Sequence, residues 1–98
     1  MALIIDPEGK EIETLQRVAD WRGARVLEVG CGDGRLTLRL ARLGAQMVAF
    51  DPDRALIRQA RRTLPKRLAA RITYSVGSAQ KVKHPAAAFD RVVFAWSL

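Results

Sequence analysis

Residues 26–34 read VLEVGCGDG: an apolar run carrying one carboxylate, Glu28, opens directly into three glycines at alternate positions, Gly30, Gly32 and Gly34. Glycine in the middle of an element costs backbone entropy, and an ordinary tight turn needs only one. Three at this spacing fit a turn that takes positive φ and lets a ligand lie against peptide atoms with no Cβ between them. Upstream, residues 25–29 form a short apolar run suited to a strand covered on both faces. Downstream, Leu36, Leu40 and Leu43 recur at helical spacing, Arg35, Arg39 and Arg42 share another face, and Gly44 supplies a C-cap. The stretch reads as strand, glycine turn, helix.

The same unit recurs along the chain. Residues 46–50 read as a second strand ending at Asp51, and a helix over residues 53–64 turns Leu56, Ala60 and Leu64 inward and Arg54, Arg58, Arg61 and Arg62 outward before Pro65 closes it. Residues 72–76, with Thr73 and Tyr74, form a third strand stopped by Gly77, and residues 91–96 a fourth, introduced by Phe89-Asp90. Ahead of these, Asp6-Pro7-Glu8 starts a helix that runs to about Trp21 with Ile12, Leu15, Val18 and Ala19 as its apolar stripe. Strands alternating with helices predict an α/β fold, a Rossmann-like parallel sheet of about four strands with flanking helices. Residues 1–98 are expected to form one domain, with 1–22 as an N-terminal helix region packed on the sheet. The fourth strand is continuously apolar yet sits two residues from Leu98. That predicts a sheet cut off after its fourth strand and completed by a further C-terminal segment or by a partner chain.

Composition removes several classes of function. The chain has 98 residues, 49% of them hydrophobic, and no run near the roughly 20 apolar residues of a membrane span, so a cytoplasmic protein is expected. One cysteine, Cys31, rules out an internal disulfide, and with His84 as the single histidine no metal site is expected. Charge is uneven: residues 1–53 hold 9 acids against 7 bases, whereas residues 54–98 hold 10 bases and only Asp90 as an acid. The basic half raises a nucleic-acid surface, although Tyr74 is the only aromatic between Phe50 and Phe89 and so offers little base stacking.

Spacing narrows the ligand. A dinucleotide fingerprint, G-x-G-x-x-G, would place a third glycine at position 35, where this chain has Arg35, and no P-loop pattern fits. What stands is an acid followed by G-x-G-x-G. That arrangement resembles the first motif of class I S-adenosylmethionine-dependent methyltransferases. Further features fall in the family's order: Asp51 ends the second strand 17 residues beyond Gly34, Gly77-Ser78-Ala79 follows the third, and Phe89 to Leu98 is similar to the fourth strand and the start of the next motif. Ser78 stands where the family commonly has an acid.

The resemblance implies S-adenosyl-L-methionine as cofactor and N-terminal, cofactor-binding sequence from residue 12 onward. Gly30, Gly32 and Gly34 would lie against its methionine part, with Cys31 a small turn residue among them. Glu28 would reach the amino group directly or through water, and the amides at the following helix start would face the carboxylate. Asp51 would hold the ribose, Pro52 would pack beside the adenine, Ser78 and the Ala79 amide would meet the base edge, and the Ala95 backbone would close the pocket. Methyl transfer to an unknown acceptor is the implied activity, with a small molecule ahead of RNA as acceptor and no catalytic base nameable. Three alternatives stay open: a cofactor-binding fragment without activity of its own, an NAD(P)- or flavin-dependent oxidoreductase, and a basic nucleic-acid-binding module.

Overall fold

The computed structural model describes residues 2–5, 20–78 and 88–95. In chain order these form β1 (Ala2–Ile5), β2 (Arg25–Val29), α1 (Arg35–Arg42), β3 (Gln46–Asp51), α2 (Arg54–Arg62), a 3-10 helix (Lys66–Arg71), β4 (Ile72–Val76) and β5 (Arg91–Ala95). The strands make one parallel sheet in the order β1-β5-β2-β3-β4. The Rossmann-like sheet with flanking helices is thus present, and its four strands over residues 25–95 stand where the apolar runs put them.

The fifth strand corrects the expected edge. Ala2–Ile5 lies along β5 in register from Ala2 beside Val92 to Ile5 beside Ala95. The apolar β5 therefore lies inside the sheet, between β1 and β2, and its backbone groups pair on both sides. Ala2–Ile5 thus stands on the side of β5 where a further C-terminal segment or a partner chain is expected. The helix expected from about residue 7 lies outside the described residues apart from its last two positions, Asp20 and Trp21, which are not helical; Trp21 is 1% exposed and stacks under the Arg91 guanidinium at 5.5 Å.

Register lines up two rows across the sheet. Val26, Met47 and Ile72 are neighbours in one; Val93, Glu28, Ala49 and Tyr74 are neighbours in the next, and every member of both is buried. From α1 the buried residues are Leu36, Thr37, Leu40 and Ala41, and from α2 they are Ile57 and Ala60. Full burial of each large aliphatic side chain contributes about 1.5–3 kcal/mol. The α2 stripe is turned slightly from the expected one. Asp53 lies outside the helix as its N-cap, with Oδ1 accepting from the amides of Ala55 and Leu56 at 2.9 and 3.1 Å. Ile57 then points at the sheet, and Leu56 is left half-buried above the glycine turn. Among the described residues no helix is long and apolar enough to cross a membrane.

Candidate functional site

The glycine turn leaves the carboxyl end of β2 and is clipped to the end of β3. The amides of Gly30 and Cys31 both donate to the Phe50 carbonyl, at 2.9 and 3.0 Å. Asp51 fastens the turn a second time: Oδ2 accepts the Gly32 amide at 3.0 Å, while Oδ1 accepts the Asp53 amide at 2.8 Å. One half-buried carboxylate thereby joins the turn after β2 to the turn after β3. Each of its oxygens keeps a lone pair for a further donor.

Above the turn lies a cavity of about 170 Å³ lined by Gly30, Cys31, Gly32, Asp33, Arg35, Leu36, Leu56 and Ala95. Four residues singled out from the sequence line it, namely Gly30, Cys31, Gly32 and Ala95. Gly32 and Gly34 need to be glycine for different reasons. Both hold positive φ, +57° and +89°. A Cβ on Gly32 would extend into nearly open space, with Leu56 Cδ1 at 4.0 Å as its closest neighbour. A Cβ on Gly34 would run into the core, against the Tyr74 hydroxyl, Tyr74 Cζ at 2.9 Å and the Ala60 methyl at 3.3 Å. Gly34 is also the N-cap of α1 in the left-handed conformation, with no side chain to cap the helix. The first amide of α1, that of Arg35, donates instead to Asp33 Oδ1 at 3.4 Å.

Glu28 lies beneath the turn, fully buried. Thr37 Oγ1 donates to its Oε1 at 2.6 Å, and its Oε2 has no partner among the described residues. Burial pushes the carboxyl up to about 7; the Thr37 hydrogen bond opposes that shift and the charge of Asp51 adds to it. Burial also raises the Cys31 thiol, helped by Glu28 and Asp51, which leaves it a poor nucleophile. Pro52 is exposed beyond Asp51, and Ser78 is half-buried past the end of β4, where the Gly77 amide donates to the Asp51 carbonyl at 3.0 Å. Ala79 lies outside the described residues. Among those residues no cluster of three or more His, Cys, Asp or Glu is placed to hold a metal ion.

Sequence reasoning missed Leu56, Leu36, Asp33 and Arg35 as cavity walls, and Thr37 as the hydrogen-bond partner of Glu28. For Thr37 a signal existed: it is the one hydroxyl on a helix otherwise built from leucine, arginine and alanine.

A family model described as methyltransferase domain matches residues 26–98. Magnesium-protoporphyrin O-methyltransferase of Rhodobacter capsulatus is 43% identical over 58 residues, 59% of this chain and 26% of that protein. The mitochondrial ubiquinone biosynthesis O-methyltransferase of Mus musculus is 42% identical over 74 residues, covering 72% of this chain and 20% of that one. Among solved structures, an S-adenosylmethionine-dependent methyltransferase from Mesorhizobium loti superposes with a TM-score of 0.75 at 22% identity, over 93% of this chain and 40% of its own. Magnesium protoporphyrin IX methyltransferase from Synechocystis PCC 6803, with bound S-adenosylmethionine, gives 0.72 at 22% identity over 86% and 40%. At that identity the likeness concerns the fold. The chain spans between a fifth and about a quarter of the length of these two sequence relatives.

Proposed function

The chain belongs to the methyltransferase-domain family, and from that premise we propose that its glycine-turn cavity binds S-adenosyl-L-methionine for methyl transfer to an oxygen of a small-molecule acceptor. The observation that carries the reading is the pairing of an open glycine wall with two carboxylates. Gly32 presents bare backbone to the cavity, Glu28 below it keeps an oxygen without a partner, and Asp51 closes the next strand. S-adenosylmethionine has a cationic amino-acid end and a ribose diol, so an anionic floor and an acceptor carboxylate fit it. Arg35 in place of a third dinucleotide glycine speaks against NAD.

When bound, the cofactor supplies a methyl group already activated on a sulfonium. The residues here bind and orient. The α1 amides face a carboxylate, Glu28 offsets an ammonium, Asp51 takes ribose hydroxyls while keeping the Gly32 amide in place, and Leu36 and Leu56 exclude water. Pro52 beside the adenine and Ser78 with the Ala79 amide at the base edge complete the reading, as does the Ala95 backbone across from Gly30. Residues 1–98 act in it as one cofactor-binding unit. The O-linked small-molecule acceptor is taken from the relatives, which are named for porphyrin and ubiquinone methylation. RNA is the second acceptor class, favoured by Arg54, Arg58, Arg62, Lys66 and Arg67, all exposed and without an ion-pair partner among the described residues.

Calorimetry with S-adenosylmethionine, S-adenosylhomocysteine and NAD tests the cofactor. Binding of the first two but not NAD is expected, and Asp51→Ala should weaken it by about 1–3 kcal/mol, the range for orphaning a hydrogen bond to a charged group. Unchanged affinity in that variant removes Asp51 from the site. A gel shift with RNA that weakens with salt would move the acceptor to the second class.

A further inference from the structure

Four parallel strands bring Val93, Glu28, Ala49 and Tyr74 side by side on the face that α1 covers. Ala49, between the two polar members, carries only a methyl group. Thr37 comes down from α1 onto this row, where its hydroxyl donates to Glu28 Oε1 at 2.6 Å. A hydroxyl has one proton and two lone pairs. With that proton committed to Glu28, the Thr37 hydroxyl points one way, and the line ends at Glu28 Oε2, which no group among the described residues meets.

We propose that Thr37 is a positioning residue that acts through Glu28, holding its carboxylate ready beneath the glycine turn so that a cation entering the cavity finds an ionised partner. The proposal rests on the reading of this cavity as a site for S-adenosylmethionine, whose α-ammonium is that cation. The groups facing Glu28 are Thr37 from α1, Tyr74 from β4, Asp51 from the end of β3, Cys31 from the turn and the apolar Val93 from β5; among the described residues no arginine or lysine is bonded to it. Burial and Asp51 both favour the neutral acid, and the Thr37 hydrogen bond is what favours the ionised one. Thr37 thus tunes an affinity without touching the ligand. Cofactor affinity should accordingly rise with pH through the neutral range, and the Thr37 hydroxyl sets where that rise occurs.

The test measures two midpoints on the 98-residue chain and its variants. One is the ¹³C chemical-shift titration of the Glu28 side-chain carboxyl without ligand; the other is the pH profile of S-adenosylhomocysteine affinity by calorimetry. Thr37→Val removes the hydroxyl at nearly constant volume and should raise both midpoints by about one pH unit, with a loss of affinity of about tenfold at pH 7. Thr37→Ser should restore the parent values, which a merely structural role of the Thr37 methyl would not do. A ligand-free midpoint that stays put in Thr37→Val overturns the proposal, as does a binding profile that ignores a shifted midpoint. If S-adenosylhomocysteine binds at no pH while the ligand-free titration still moves, the cofactor reading falls and the link from these residues to that ligand falls with it.

Discussion

Replacing Gly34 by alanine separates two explanations of the glycine turn, one in which a ligand needs the space and one in which the core does. The φ of +89° is a left-handed conformation that costs an alanine about 1–2 kcal/mol. The added methyl group would also meet Tyr74 Oη most closely, Tyr74 Cζ at 2.9 Å and the Ala60 methyl at 3.3 Å, a collision with two packed elements. Overfilling a tight core costs about a further 1–3 kcal/mol. Gly34→Ala should therefore destabilise the ligand-free chain by about 2–5 kcal/mol, a large share of the roughly 5–15 kcal/mol that a small domain has. Urea denaturation followed by far-ultraviolet circular dichroism reads this directly. A double-mutant cycle sharpens the attribution. Tyr74→Phe deletes the closest atom and leaves the ring carbon and Ala60, so Gly34→Ala should cost about 1–2 kcal/mol less in that background. A loss below about 1 kcal/mol, or one indifferent to Tyr74→Phe, would refute the view that Gly34 makes room for the core.

Gly32→Ala should rank the other way: its Cβ meets only Leu56 Cδ1 at 4.0 Å, so the stability loss stays at about 1–2 kcal/mol from φ alone, while S-adenosylhomocysteine affinity by calorimetry falls at least tenfold. A folded Gly32→Ala chain that binds as the parent does would take the cofactor out of this cavity. Glu28 also makes the ligand-free chain sensitive to pH. Its carboxyl is near 7 in the fold against 4.5 in a free side chain, so the folded chain holds a proton that the unfolded chain has given up between those values. Stability from this group is fully present below about pH 4.5 and is lost as pH rises to about 7, a fall on the order of 3 kcal/mol. Urea midpoints at pH 5 and pH 8 should differ in that sense for the parent and should draw together in Glu28→Gln; equal slopes in both chains would show that Glu28 is ionised without ligand.

Strand and helix positions over residues 25–76 were legible because each element announces itself locally. Residues 25–29 and 46–51 form apolar runs ending in a glycine or an acid, and Asp53, Gly44 and Pro65 mark helix ends through their own backbone preferences. Ala2–Ile5 was not legible as a strand because a four-residue apolar run has no periodicity to read, and its partner β5 lies about ninety positions away. The site divides in the same way. Glu28, Gly30, Gly32 and Asp51 are carried by local patterns, so their neighbourhood at the strand ends follows once the sheet is parallel. Leu56 lies in the cavity wall because Asp53 caps α2, and the resulting phase turns Ile57 inward in its place. Thr37 and Tyr74 come to Glu28 only through register and helix packing, which no stretch of sequence contains.

The Tyr74 hydroxyl gives the third glycine of VLEVGCGDG a role apart from the first two. It stands where a Gly34 side chain would be. Widening position 34 would push Tyr74 out of the buried row that also holds Glu28, so the turn above the sheet and the row beneath it share one constraint. The alternate glycines thus face opposite ways. Gly32 opens backbone to the cavity, whereas Gly34 closes onto the core and makes room for Tyr74. A ligand alone would explain the first of these, and the packing of Tyr74 explains the second.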